Sequence, residues 1–372
     1  MLTRLALAAL FGTSVLAGTA HAVDYKLVNI SSTTNTYAFV GVPASNALKL
    51  AAEQINASGM LGAGNKIVLI NEDGASDRNQ AITLVNKHGR DKDTLLIFGP
   101  TSTIDILAAG PASKEHSLPQ MTNSPAPVLL KVSDYIFRAS VATDEYMTTM
   151  ANFGIKKGVK NCAYVTVNDN EGYLLQRDIV RDVMVKAGGT VVADETAKSS
   201  ETNYSALATK IVDRKPQCLE INMPAANTAN VIIQLRQAGL DPKTVILTSN
   251  SAASKAYLDI GGAAVEGTYM VSEFAAPGTT AMQKKFTEDY TKAFGSTPDN
   301  WAGIGYTQMQ IVAAALKAAG PNPTRDQLRD AMLKTKDLPV VVGDGKLTIT
   351  PDRLTHYEMA VLTVKDGKFV AP

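Results

Sequence analysis

The chain has 372 residues, of which 45% are hydrophobic and 19% charged, and its formal net charge is +1. This suits globular units with full cores and favours two domains. No basic field or basic amphipathic stretch argues for nucleic acid or a membrane surface.

The N-terminus reads MLTRLALAALFGTSVLAGTAHA, with Arg4 its only charged residue. A positive start, the apolar run from Leu5 to Leu16 and the small-residue site Ala20-His21-Ala22 predict a secretory signal peptide over 1–22. The mature chain is expected to begin near Val23. No cysteine lies near the cleavage site to carry a lipid anchor. The two cysteines, Cys162 and Cys218, each open a strand-like run. In an exported protein they either pair or remain buried thiols on neighbouring strands.

Strand and helix patterns then alternate. YKLVNI (25–30) predicts a strand. NALKLAAEQINASG (46–59) puts Leu48, Ala51, Ala52 and Ile55 on one helical face and stops at Gly59. KIVLIN (66–71), a helix over 76–89, TLLIF (94–98), a helix from the GPTST turn to about Lys114, and LPQMT (118–122) follow. This order predicts a parallel, doubly wound sheet with right-handed crossovers. The pattern restarts at YIFRAS (135–140), with helices near 144–157, 173–187, 204–213 and 226–238. Strands CAYVTV (162–167), TVVADET (190–196), CLEINM (218–223) and TVILTS (244–249) lie between them. VEGTYMVSEF (265–274) is extended. Helices are predicted near 280–294, 301–319 and 325–333. The tail predicts antiparallel strands joined through KDGK.

Catalytic and metal signatures are scarce. There is no G-x-S-x-G elbow and no phosphate-binding loop. GMLGAG (59–64) follows a helix where a dinucleotide fingerprint follows a strand. The four histidines form no metal-ligand pattern, and HYE (356–358) has no matching P-C-x-x-C. No cofactor is implied. The informative positions follow strand C-termini, where open α/β sheets bind ligands. Five such loops carry polar groups: SSTTNTYAF (31–39), GPTST (99–103), TNSPAP (122–127), VNDNEGY (167–173) and TSNSAAS (248–254).

Over nearly the whole mature chain the sequence resembles the leucine/isoleucine/valine-binding family of periplasmic solute-binding proteins. The segments that carry the likeness are NALKLAAEQINASGML, EDGASDRNQAITLVNK, FGPTST, YIFRASVATDEY and LRQAGLDPKTVILTS. The resemblance implies the type I fold, two doubly wound α/β domains joined by three crossovers near Arg138–Val141, Tyr269–Phe274 and Gly345–Thr350. The expected lobes are 23–139 with 275–346, and 140–274 with 347–372. The expected protein is a periplasmic monomer that closes on a solute and delivers it to an inner-membrane ABC permease.

By the same resemblance, Ser102, Thr103, Asn123 and Ser124 hold a ligand carboxylate, and Thr101 in the same turn is a further expected ligand contact. The helix start after the GPTST turn offers free N–H groups and a positive dipole end for the carboxylate. The family's ammonium-holding acid falls at Asn250, a neutral amide that cannot neutralise a buried cation. Glu171 replaces the acid if it faces the cleft and is otherwise a solvent-facing loop carboxylate, and Tyr173 in the same loop is a further ligand contact. Trp301 and Tyr37 are expected as aromatic walls, with Phe39 beside Tyr37. The expected ligand is an aromatic or other organic acid; a branched-chain or related amino acid is the alternative. An exported hydrolase using Ser102 or Thr103 as nucleophile is a reading of another class, and it lacks a base near in sequence.

Overall fold

The computed structural model describes residues 22–372, so the predicted signal peptide lies almost wholly outside the described residues. The first half of the chain builds a five-stranded parallel sheet. β1 (Asp24–Ser31), β2 (Lys66–Asp73), β3 (Thr94–Phe98), β4 (Gln120–Thr122) and β5 (Ile136–Arg138) run in the spatial order β2-β1-β3-β4-β5. α1 (Ala38–Ser58), α2 (Arg78–Arg90) and α3 (Thr103–Glu115) make the crossovers. Apolar residues face both ways along these strands, as burial on two faces requires. Leu27 packs towards α1, while Val28 and Ile30 meet Leu84, Val85 and Ala109 on the other side.

The second sheet has seven strands. β6 (Asn161–Val167), β7 (Thr190–Ala197), β8 (Cys218–Asn222), β9 (Val245–Thr248) and β10 (Tyr269–Ser272) are parallel. β14 (Ala360–Lys365) and β15 (Lys368–Val370) add an antiparallel hairpin at the β10 edge, turning at Asp366-Gly367 as KDGK predicts. α4 (Thr143–Lys156), α5 (Glu171–Lys186), α6 (Ser205–Asp213), α7 (Ala225–Gln237) and α8 (Lys255–Gly261) cover this sheet. α9 (Ala281–Phe294), α10 (Asn300–Ala319) and α11 (Arg325–Leu333) return to the first lobe, where Phe286, Trp301, Ile304, Val312 and Leu328 join its core.

Two expectations need correction. The first helix begins at Ala38, not near residue 46. Gly41 lets the backbone approach Ser32, whose carbonyl oxygen would lie 2.0 Å from an added Cβ, and the helix runs on through Pro43. The third connection lies later than 345–350. Residues 346–349 form β12 (Lys346–Ile349), paired with β11 (Leu338–Pro339) and β13 (Thr355–His356). Leu347 and Ile349 are buried in the first core, which keeps this strand with the first lobe. The crossing follows at Thr355–Tyr357, where Thr355 Oγ1 donates to Ser140 O at 2.6 Å and Tyr357 Oη lies 2.8 Å from Ala139 O.

Cys162 and Cys218 stand opposite each other on β6 and β8 and form a disulfide, which resolves the alternative left open above. Their sequence separation is 56; closing such a loop restricts the unfolded chain by about 4 kcal/mol on the entropic account.

Glu220 on β8 is fully buried, and its carboxyl is pushed up to about 8 by burial, against the lowering effects of Asn222 and Arg177. A carboxyl raised on folding binds its proton more tightly in the folded state. Its contribution to stability is therefore complete below the ordinary glutamate range and lost as pH rises towards about 8. Thermal unfolding should show a melting temperature that declines from pH 5 to pH 8.5, and Glu220→Gln should flatten that decline.

Candidate functional site

A cavity with about 500 Å3 of empty space, its mouth included, lies between the lobes at the C-terminal edges of both sheets. Its lining includes Tyr37, Thr101, Ser102, Thr103, Asn123, Ser124, Tyr173, Asn250 and Trp301. Glu171 is the one expected residue not brought there. It is the first residue of α5 and is exposed, while Asn170, the cap before it, turns inward and accepts from Gly172 N–H at 2.9 Å. The suggested replacement acid is thus outside the cavity.

Local structure explains most of the placements. Gly99 has a φ of +90°, and an added Cβ would sit 2.1 Å from Ile30 O, so the turn after β3 requires glycine. Ser102 caps α3, accepting from Asp105 N–H at 3.2 Å. Thr103 Oγ1 lies 2.8 Å from Ser124 Oγ, joining the two loops of the first lobe. Thr101 Oγ1 is committed to structure, accepting from Ser32 N–H at 2.8 Å.

From the second lobe, Tyr173 Oη lies 2.9 Å from Ser251 Oγ, and Asn250 Nδ2 donates to Tyr146 Oη at 3.2 Å. Trp301 stands edge-on to Phe39, with ring centroids 6.0 Å apart. Asn170 Nδ2 donates to Tyr37 Oη across the cleft at 2.7 Å, and beside it Lys255 N–H donates to Asp299 Oδ2 at 3.2 Å and Asn300 N–H to Ala253 O at 3.3 Å, joining the second lobe to the start of α10. Tyr37 packs into the core of the second lobe although it precedes the first lobe's first helix. Burial pushes its hydroxyl up to about 12 and that of Tyr173 well above the ordinary range, so both remain neutral donors.

Among the described residues, no Asp, Glu, Lys, Arg or His lines the cavity. Asp105 is buried beside Ser102 and held above the usual carboxylate range by burial, but it does not reach the lining. The starts of α3 and α5 meet here: a Cβ on Gly172 would lie 3.0 Å from Thr103 Oγ1. First-turn amides lack intrahelical acceptors and carry the positive end of the helix dipole. Two further polar atoms of lining residues have no protein partner, Gln176 Oε1 and Trp301 Nε1.

Sequence reasoning overlooked Asn170, Gln176, Ser251 and Thr143. Asn170 carries the signal of an N-cap before a helix. Gln176 lies three residues after Tyr173 on α5 and so shares its face.

The geometry describes a two-lobed receptor with one neutral interlobe cleft. The sequence matches the periplasmic binding protein family over residues 24–368, and the chain belongs to that family, a non-enzymatic class of transporter component. Ser102 and Thr103 are accordingly not hydrolase nucleophiles. Ser102 caps a helix, and Thr103 is paired with another hydroxyl instead of a base.

A Leu/Ile/Val-binding protein homologue from Brucella melitensis is 23% identical over 329 residues, covering 83% of this chain and 81% of its own. The branched-chain amino acid transporter substrate-binding protein LivJ from Streptococcus pneumoniae, solved with isoleucine, superposes with a TM-score of 0.85 at 21% identity. That match covers 94% of this chain and 98% of LivJ. An ABC-transporter solute-binding protein from Rhodopseudomonas palustris, solved with 3,4-dihydroxybenzoic acid, gives a TM-score of 0.84 at 24% identity. It covers 93% of this chain and 95% of that one.

Tyr37→Phe removes one of the bonds across the cleft, worth about 0.5–1.5 kcal/mol net. Small-angle scattering of the ligand-free variant should give a larger radius of gyration than the parent, with the circular dichroism spectrum unchanged. Equal radii would show that the bond does not hold the lobes together.

Proposed function

We propose that this protein is exported to the periplasm, captures a small carboxylate-bearing solute without an ammonium group, and hands it to an ABC permease. An aromatic acid is the preferred ligand. The observation that carries this reading is the charge pattern of the cavity: two helix starts face it and no charged side chain lines it.

Thr103 and Ser124 hydroxyls, with the first-turn amides of α3, suit a carboxylate. Phe39 and Trp301 suit an aromatic ring, which prefers offset or edge-on partners. An ammonium left without a carboxylate in such a site is costly to desolvate. The R. palustris protein bound to 3,4-dihydroxybenzoic acid supports the preference.

A branched-chain amino acid is the second reading. Gln176 Oε1 is an unpaired acceptor on a lining residue and suits an N–H donor. LivJ with isoleucine, and the Brucella homologue's description, agree with it.

A thermal-shift panel of benzoate, 3,4-dihydroxybenzoate, leucine, isoleucine and valine at millimolar concentration separates the two. Ligand stabilisation grows with the logarithm of concentration over Kd, so micromolar binders register clearly. An aromatic acid should raise the melting temperature. Stabilisation by leucine or valine alone would reverse the preference.

Asn250→Asp tests the same point from the protein side. It places a carboxylate in the neutral cavity, and calorimetry should show aromatic-acid affinity falling by at least about tenfold, equivalent to about 1.4 kcal/mol. Unchanged affinity would mean that Asn250 does not face the ligand.

A further inference from the structure

The three connections between the lobes converge on one carboxyl group, that of Glu273, which is 2% exposed. Glu273 itself lies on the second connection. Its Oε1 accepts from Val141 N–H of the first at 2.9 Å and lies 2.9 Å from Tyr357 Oη of the third. Its own N–H donates to Asn300 Oδ1 at 2.7 Å, and its carbonyl accepts from Gly343 N–H at 2.8 Å.

Proton counting makes this junction informative. Tyr357 Oη is within hydrogen-bond distance of two oxygens, Ala139 O at 2.8 Å and Glu273 Oε1 at 2.9 Å. A phenol has one proton to donate. If Glu273 is ionised, the tyrosine serves either the carboxylate or the Ala139 carbonyl, and one contact lacks its proton. If Glu273 carries a proton, it donates to Tyr357 Oη, which donates in turn to Ala139 O. All three connections are then joined in one satisfied chain of bonds.

We propose that Glu273 is a positioning residue that takes up one proton from solvent when the lobes close and releases it when they open, coupling cleft closure to pH. The surroundings support it. Arg138 is fully buried, with Nε and Nη2 unpartnered, and favours the charged carboxylate. Tyr146 stands close enough to favour that form too, although Glu273 Oε2 has no hydrogen-bond partner. Asp144 and Glu145 of α4 act on Arg138, and His356, beside Tyr357, is paired with Glu145 at 2.8 Å. Burial outweighs the favourable groups and pushes the Glu273 carboxyl up to about 7.

Opening the hinge admits water to the carboxyl and lowers that value, so the closed form is favoured at low pH and loses ground as pH rises towards 7. The junction also touches the cleft, because Tyr146 accepts from Asn250, a lining residue.

The test uses the ligand-free protein, so its outcome is separate from that of the solute reading. In nitrogen-15 correlation spectra between pH 5.5 and 8.5, the Val141 amide and the Asn250 side-chain amide should shift together with a midpoint near 7. The radius of gyration should grow over the same range. Glu273→Gln, a neutral isostere, should abolish both responses. Any response surviving in that variant would assign the titration to another group and overturn the proposal.

Tyr357→Phe provides a second variant should the first not fold. The Val141 shift should persist in it while the radius no longer follows pH. A Val141 amide that does not titrate in the parent would overturn the proposal. So would an Asn250 amide or a radius that does not follow Val141 there, or a Tyr357→Phe radius that still follows pH.

Discussion

The meeting of two helix starts across the cleft is the constraint on which the site depends. α3 belongs to the first lobe and α5 to the second, and Gly172 approaches Thr103 so closely that a side chain at 172 would have to displace it. Each start carries unsatisfied amides and a partial positive charge. Bringing two such ends together is unfavourable unless something negative or strongly accepting lies between them. The cavity contains no charged side chain to do this. Hydroxyls of Thr103, Ser124, Tyr173 and Ser251 are satisfied mainly by one another, and the caps Asn170 and Ser102 take Gly172 N–H and Asp105 N–H, so the two helix dipoles supply the positive potential of the cleft. On the proposed reading a ligand carboxylate would relieve the repulsion, coupling lobe closure to anion capture.

Much of this was legible in the sequence because α/β topology is written in strand and helix order. Once β1, β3 and β4 are recognised as parallel, the loops after them must share one edge, and Tyr37, Ser102 and Asn123 are placed together without further information. The second lobe repeats the reasoning for Tyr173 and Asn250. What failed was local. A helix start has a side facing in and a side facing out, and a one-residue choice decides which. For Glu171 the sequence leaves both an inward acid and a solvent-facing carboxylate open, and the N-cap geometry turns Glu171 outward and Asn170 inward. The first helix was read late because Gly41 and Pro43 are poor helix residues, yet the close approach of Gly41 to Ser32 requires one of them.

The long-range contacts were not legible at all. Nothing in the residues around 273 announces that their glutamate will meet Val141 and Tyr357, which are 132 and 84 positions away. Periodicity reports which face of an element is buried; it is silent on which polar groups meet inside. Likewise β12 was assigned to the wrong side of the hinge because only its packing of Leu347 and Ile349 into the first core shows where it belongs.

Charge is distributed in layers. The cleft wall is neutral, and the ionisable groups stand behind it: Asp105 under α3, and Glu273 with Arg138 at the connections. A charge in the wall would act directly on the ligand and fix its sign. A charge one layer back acts instead on the equilibrium between open and closed lobes, through Tyr146 and Asn250 or through the connecting strands. Such a protein can keep one ligand preference while its grip varies with conditions, because different groups set the two properties. The neutral amide at Asn250 stands at the boundary between the layers, lining the cavity on one side and donating to Tyr146 on the other. An aspartate there would merge the two functions. It would repel a bound carboxylate and add a like charge to the environment of Glu273, raising the cost of ionising it further. The amide keeps selectivity and hinge electrostatics independent.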